Sequence, residues 1–323
     1  MSLSATFDSL PRPGAEGCFS VEASSRKFRV GKSFEGFPAL LIAFDESAFE
    51  SLPRRLANIG YSPPKDVELT GAGKSHSERL AVLECRTLEP GLVEYFFRVV
   101  ARILIDDPIA GAPAGFEAAL DAVVALFRAL QLPAQRTVQG LWAELAIIAW
   151  SREPEVAIGA WHSGPRALHD FAAGDDRLEV KGASTGLREH SFRLDQLRVI
   201  EGSHTVVASL LLDESPVGAN VFDLVARIEA RVPGTEIRRR LQSVVATSLG
   251  ASWKEAGPLR FDEALARERL GFYRAEDVPS IALPLRPEVK DVLFTSDLSN
   301  SPPLPANKAR SMGRFFHALL PTT

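Results

Sequence analysis

The stretch His169-Asp170-Phe171-Ala172-Ala173-Gly174-Asp175-Asp176-Arg177-Leu178-Glu179-Val180-Lys181-Gly182 decides how the rest of the chain is read. Gly174-Asp175-Asp176 has the composition of a turn, and the residues on either side run short or alternate as strands do. Residues i and i+2 of a strand share a face, so Glu179 and Lys181 project together while Val180 points into a core. A hairpin turning at Gly174 brings Asp170 alongside Glu179. Two carboxylates and one amine then converge at a sheet edge.

Asp170 and Glu179 are hard oxygen donors. With a backbone carbonyl such as that of Val180 they suit Mg²⁺, which keeps several waters and binds through one or two carboxylates; Mn²⁺ can substitute. A metal so held polarises a phosphoryl oxygen and generates hydroxide, while the Lys181 ammonium orients the attacking water or balances developing negative charge. The set points to phosphodiester hydrolysis. Glu144, flanked by Ala143 and Leu145, is either a further acid of the metal site or the polar edge of a helix. His169 precedes Asp170 and faces the other way, as a structural residue does. His190 and Gln196 either reach the site or DNA, or else His190 caps a turn and Gln196 is a solvated helix residue.

Outward from this centre, residues 18–105 read as mostly strands, at Phe28 to Val30, Phe37 to Phe44, Val67 to Leu69 and Arg79 to Arg86, closed by a helix from Val93 to Ile105 that stops before Asp106-Asp107-Pro108. A Pro-, Gly- and Ala-rich linker covers 108–115. Two helices follow, one carrying Phe116, Leu120, Val123, Val124 and Phe127, the other Leu141, Leu145, Ile148 and Ala149. Ala157 to Trp161, Ala167 to Phe171 and Arg177 to Gly182 read as a β-meander, Ser191 to Ile200 as a short amphipathic helix, and Thr205 to Leu212 as a strand buried on both faces. Beyond Pro216, helices are expected over 220–231, 236–249 and 262–270, weaker strands at 280–283 and 289–295, and an irregular tail from Ser299.

These residues resemble the PD-(D/E)XK superfamily of restriction-endonuclease-like enzymes, through His169-Asp170-Phe171 and Leu178-Glu179-Val180-Lys181-Gly182. The surrounding chain is similar to the PD-(D/E)XK proteins grouped as DUF4420. That likeness lies in Gly140-Leu141-Trp142-Ala143-Glu144-Leu145 and His190-Ser191-Phe192-Arg193-Leu194-Asp195-Gln196-Leu197, and it is strongest over about 137 to 212. The resemblance implies an α/β fold with a core of helix, three-strand meander, helix and strand, Asp170 and Glu179 as metal ligands, Lys181 as the catalytic lysine, and Glu144 as the acid of the first core helix. His169 stands where the superfamily name has proline. The implied regions are a β-rich part over 1–115, the nuclease-like core over 116–215 and a mostly helical part over 216–323.

Composition narrows the function. With 323 residues, 46% of them hydrophobic and 24% charged, the chain is that of an ordinary globular protein and not a disordered one. A net charge of -4 excludes nonspecific coating of nucleic acid, so contacts to it must be local. Arg26-Lys27-Phe28-Arg29, Arg54-Arg55 and Arg238-Arg239-Arg240 are either such contacts or solvated faces. No apolar run is long enough for a membrane helix and no secretory signal opens the sequence, so cytoplasmic residence is expected, with Cys18 and Cys85 as reduced, buried thiols. Gly71-Ala72-Gly73-Lys74-Ser75 imitates a phosphate-binding loop, but Glu68 stands where its first glycine belongs and a strand follows instead of a helix.

The expected function is a Mg²⁺-dependent endonuclease of double-stranded DNA in a restriction or phage-defence setting. Its possible associates are a methyltransferase, an ATPase or a second copy of the chain. The rival is a noncatalytic subunit of the same fold that binds nucleic acid or assembles a defence complex.

Overall fold

Strands need extended runs of residues bounded by turns, and residues 18–85 supply six of them, with Pro38–Ile42 buried at every position. In the computed structural model, which describes residues 3–321 apart from 24, 26, 45–50, 72–73, 106–112, 163–166, 199–200 and 287, these are β1 (Cys18–Ala23), β2 (Phe28–Ser33), β3 (Pro38–Ile42), the short β4 (Arg54–Arg55), β5 (Ile59–Gly71) and β6 (Lys74–Cys85). They form one sheet in the order β1-β2-β3-β6-β5-β4. β1 also pairs in parallel with β5, Cys18 opposite Glu68 and Ser20 opposite Thr70, so that five strands close on themselves as a barrel. Phe19, Ala39, Leu41, Val67, Leu69, Leu80 and Val82 form its buried cluster.

Helices α1 (Leu3–Ser9), α2 (Pro90–Val100) and α3 (Pro113–Ala129) share this first compact unit, Met1–Gln131. α2 opens on Pro90 at its first position with the Glu89 side chain capping the Leu92 N–H. It continues as a π-turn over Ala101–Ile105. The expected stop at Asp106-Asp107-Pro108, most of the 108–115 linker, and Arg26 lie outside the described residues. So do Ala72 and Gly73. Gly71 and Lys74 end and begin paired strands, so no helix N-terminus follows the imitation phosphate loop.

The second unit, Leu132–Thr323, begins with α4 (Val138–Trp150) and α5 (Pro154–Ala160). It continues through β7 (Phe171–Ala173), β8 (Asp176–Ala183), β9 (Glu189–Arg193), β10 (His204–Leu211) and β11 (Glu214–Ala219). Then come α6 (Val221–Arg231), α7 (Thr235–Leu249), α8 (Trp253–Ala256), α9 (Glu263–Glu268), β12 (Gly271–Arg274), β13 (Leu293–Asp297), α10 (Ala306–Ser311) and α11 (Arg314–Leu319). The fold is mixed α/β. Its main sheet has the order β12-β10-β8-β7, with β8 and β10 parallel and Val207 opposite Glu179. By contact, the helix over 113–129 goes with the first unit and residues 216–323 go with the second.

Four local expectations are corrected. Ala157 to Trp161 is not a strand: Pro154 starts α5, and Trp161 ends it as a lone bridge to Phe171. The three-strand meander is therefore a two-strand hairpin, and Ala167 to Asp170 precede β7 as irregular chain. The described part of the expected helix, Ser191 to Arg198, is not an α-helix, and residues 199–200 lie outside the described residues. Glu189 to Arg193 alternate exposed and buried as β9 and pair with β13 away from the main sheet, before a 3₁₀ turn at Leu194–Leu197. No strand forms at 280–283, and the later one is β13. The tail is not irregular throughout, because Phe315, Phe316 and Leu319 of α11 are buried.

Candidate active site

α4 is apolar apart from Gln139 and Glu144 and is mostly buried, and Glu144 is its one charged residue. A carboxylate in that position must be paired. It accepts a hydrogen bond from Trp161 Nε1 at 2.6 Å and forms an ion pair with Arg136, which lies just before the Thr137 N-cap. α4 comes down close on β8 because Gly182 has no side chain: a Cβ there would stand 3.3 Å from Ala143 Cβ and 2.9 Å from Leu212 Cδ1. Gln139 Nε2 donates to the Gly182 carbonyl at 2.9 Å and fixes the approach. Glu144 is thereby brought to the hairpin.

The hairpin turns where expected. Gly174, with φ +58°, takes the first loop position between β7 and β8, and Phe171 pairs with Leu178. One step beyond that pair, Asp170 Oδ2 accepts the Val180 N–H at 2.8 Å. Asp170 Oδ1 lies 3.3 Å from an Arg136 nitrogen, so one guanidinium joins Asp170 to Glu144. Glu179 is 2% exposed; its Oε1 receives Lys181 Nζ at 2.8 Å and Gln196 Nε2 at 2.7 Å. Burial, and secondarily the Asp170 charge, raise the Glu179 carboxyl to about 8, with Lys181 and Arg136 acting the other way. Lys181 Nζ also stands 5.0 Å from the centre of the Phe192 ring, which packs beneath it.

The structure thus gathers Glu144, Asp170, Glu179 and Lys181, and adds Arg136 and Gln196. Gln196 is buried and not solvated: it bridges Glu179, the Leu168 carbonyl and the Arg193 N–H. Nothing in its immediate sequence marks this, because the pairing depends on β9 leaving the main sheet. His190 does not cap a turn. It is buried against Ser209 Oγ at 2.7 Å, and burial, followed by Lys181 and Arg188, lowers it to about 4. His169 packs as a structural residue, with Nε2 3.0 Å from the Gln196 carbonyl oxygen and its pKa lowered mainly by burial.

Among the described residues no three His, Cys, Asp or Glu side chains stand together as a ready metal cage. The donor chemistry nonetheless suits a hard cation: the acids supply only oxygens, and Glu179 Oε2 is buried with no hydrogen-bond partner. The basic runs have other occupations. Arg240 donates to the Ile158 and Trp161 carbonyls at 2.9 and 2.8 Å, closing the C-terminal end of α5; Arg239 pairs with Glu236, and Arg238 bonds the Pro233 carbonyl. Arg29 pairs with Glu78, and Arg54 with Glu117 and Asp121. Both cysteines are free, Cys85 buried and Cys18 half-buried. No described helix is long and apolar enough to cross a membrane.

An α/β unit with acids and a lysine meeting over a strand hairpin is the setting of nuclease-like proteins. Residues 3–299 match the model of the family described as "Putative PD-(D/E)XK family member, (DUF4420)", and the chain belongs to that family. No curated protein and no solved structure matches it.

Proposed function

We propose that this chain is a metal-dependent endonuclease that hydrolyses phosphodiester bonds of double-stranded DNA, in a restriction or phage-defence setting. The observation that carries the reading is the meeting of Asp170, Glu179 and Lys181 on one hairpin beneath Glu144. Asp170, Glu179, Glu144 and the Val180 carbonyl are the groups that would hold Mg²⁺ or Mn²⁺. When bound, such an ion polarises a phosphoryl oxygen and makes its water a stronger nucleophile. The residues do the rest. Gln196 and Lys181 fix the orientation of Glu179 by two hydrogen bonds to one oxygen. Lys181, 19% exposed and supported by Phe192, keeps its ammonium at the edge of the site, where it faces a phosphate as negative charge grows on it. The water oxygen bonds to phosphorus and gives up a proton to solvent, the bond to the leaving sugar oxygen breaks, and that oxygen takes up a proton from solvent. A second copy of the chain, a methyltransferase or an ATPase belongs to the same proposal as a partner.

The test is cleavage of methylated and unmethylated plasmid with Mg²⁺ or Mn²⁺. Lys181→Ala should lower the rate on the order of a hundredfold with DNA affinity little changed, since its charge matters most in the transition state. Equal cleavage by wild type and Lys181→Ala removes the lysine from the mechanism. One observation favours the noncatalytic rival: Arg136 already neutralises two of the acids. Binding of DNA without cleavage under every metal and partner condition would select it.

A further inference from the structure

Arg136 has no place in the PD-(D/E)XK motif, yet it stands at the centre of the acids. Its guanidinium pairs with Glu144 and Asp170 and donates to the His162 carbonyl at 2.6 Å, and its Cζ lies 5.9 Å from the centre of the Trp161 ring. The backbone is anchored separately, the Arg136 N–H bonding the Ser248 carbonyl while Thr137 caps α4. Arg136 therefore sits at the N-terminal end of α4, where the helix dipole repels a cation. The helix does not hold this charge there; the carboxylates do. The Arg136 side chain is 16% exposed, and its contacts to the carboxylates are made by the side chain alone, apart from the backbone N–H that the Ser248 carbonyl anchors.

A divalent ion and this guanidinium need the same oxygens. We propose that Arg136 is the resident counter-cation of the acidic cluster, and that a divalent metal enters by displacing it from Asp170 and Glu144. The inference rests on the nuclease reading of the site. Arg136 pairs with two of the acids, Asp170 and Glu144, so those two have little charge left to attract a dication while it stays. Once the guanidinium swings out, the Asp170 and Glu144 oxygens it holds are freed, and Glu179 Oε2 already lacks a hydrogen-bond partner. The competition is reciprocal: whatever factor Arg136 takes from metal affinity, metal takes from the docking of Arg136. A planar guanidinium spanning two carboxylates is a stronger competitor than an ammonium, which meets them as a point charge.

The experiment is calorimetric titration of Mn²⁺ into the full chain as wild type, Arg136→Met, Arg136→Lys and Asp170→Ala, with thermal melts of each with and without Mn²⁺. Arg136→Met should bind Mn²⁺ about tenfold or more tightly than wild type, within the usual range of a coupling between two ligands. Arg136→Lys should fall between them. Mn²⁺ should raise the melting temperature of Arg136→Met more than that of wild type, a change that a merely structural ion pair would not produce. If Arg136→Met does not fold, the Arg136→Lys affinity decides by itself. Wild-type binding that Asp170→Ala abolishes but that neither Arg136 variant strengthens overturns the displacement while leaving the metal site standing. Absence of Asp170-dependent binding in every variant overturns both.

Discussion

Gln196→Leu probes whether the site is organised by a buried hydrogen-bond hub. The carboxamide makes three bonds: Nε2 donates to Glu179 Oε1 at 2.7 Å and to the Leu168 carbonyl at 3.0 Å, and Oε1 accepts the Arg193 N–H at 2.9 Å. Leucine nearly preserves the volume and removes all three. Each neutral bond contributes about 1 kcal/mol net, and the bond to Glu179, whose carboxyl is raised to about 8 and shares its oxygen with Lys181, about 1–3 kcal/mol according to its protonation. The expected loss is therefore about 3–5 kcal/mol, reduced slightly by the apolar surface that leucine buries. Urea denaturation at pH 7 without metal measures it as a lower midpoint at unchanged slope. Gln196→Glu keeps the acceptor but sets a carboxylate against Glu179, and should cost at least as much. A loss below about 1 kcal/mol for Gln196→Leu would refute the hub, since one buried unsatisfied group alone costs that much.

The raised Glu179 carboxyl means that the folded chain binds a proton that the unfolded chain has released, so this group's stabilisation is complete below its unfolded value of 4.5 and is lost as pH rises toward about 8. His190, lowered to about 4 from 6.5, has the opposite slope below 6.5, so metal-free melting temperatures should fall with pH most clearly between 6.5 and 8; Glu179→Gln should flatten that fall. Arg240→Ala should destabilise the chain by about 1–3 kcal/mol in urea, because the carbonyl of Trp161, the C-cap of α5, loses this donor and the Ile158 carbonyl keeps only the Trp161 N–H. The salt dependence of DNA binding should be unchanged in that variant; a flatter slope would restore Arg240 as a phosphate contact.

The pairing of Asp170 with the Glu179 strand was legible because a strand's period and a glycine turn are local properties, and the glycine sits at its turn with positive φ. Glu144 was legible as the one charge in an apolar helix. Arg136 was not, because beside Pro133 and a Thr N-cap it reads as an ordinary loop cation; only the approach of α4 to β8 at Gly182 gives it partners. Gln196 was hidden by a misassigned helix: the stretch from Ser191 reads as a short amphipathic helix, whereas Phe192 and Leu197 are buried from a strand and a 3₁₀ turn against Val207 and Tyr273. At Ala157 to Trp161 the signal was present and outweighed. Pro154 at a first helical position argues for a helix, but the short apolar run fits either period. The helices after Ser299 were masked by Pro302, Pro303 and Pro305, which precede them without entering them.

Closure of the N-terminal barrel depends on a contact between distant parts of the chain. Cys18 meets Glu68, 50 positions later, and only β2 gives β1 a nearer partner. Loop-closure entropy must be met before that contact returns anything, so the β1–β5 seam belongs among the slow steps of folding. On a ribosome, β1 waits with one edge open until β5 has emerged. A nascent chain halted before residue 70 therefore presents both edges of an unfinished sheet, the form most prone to pair with a neighbouring chain.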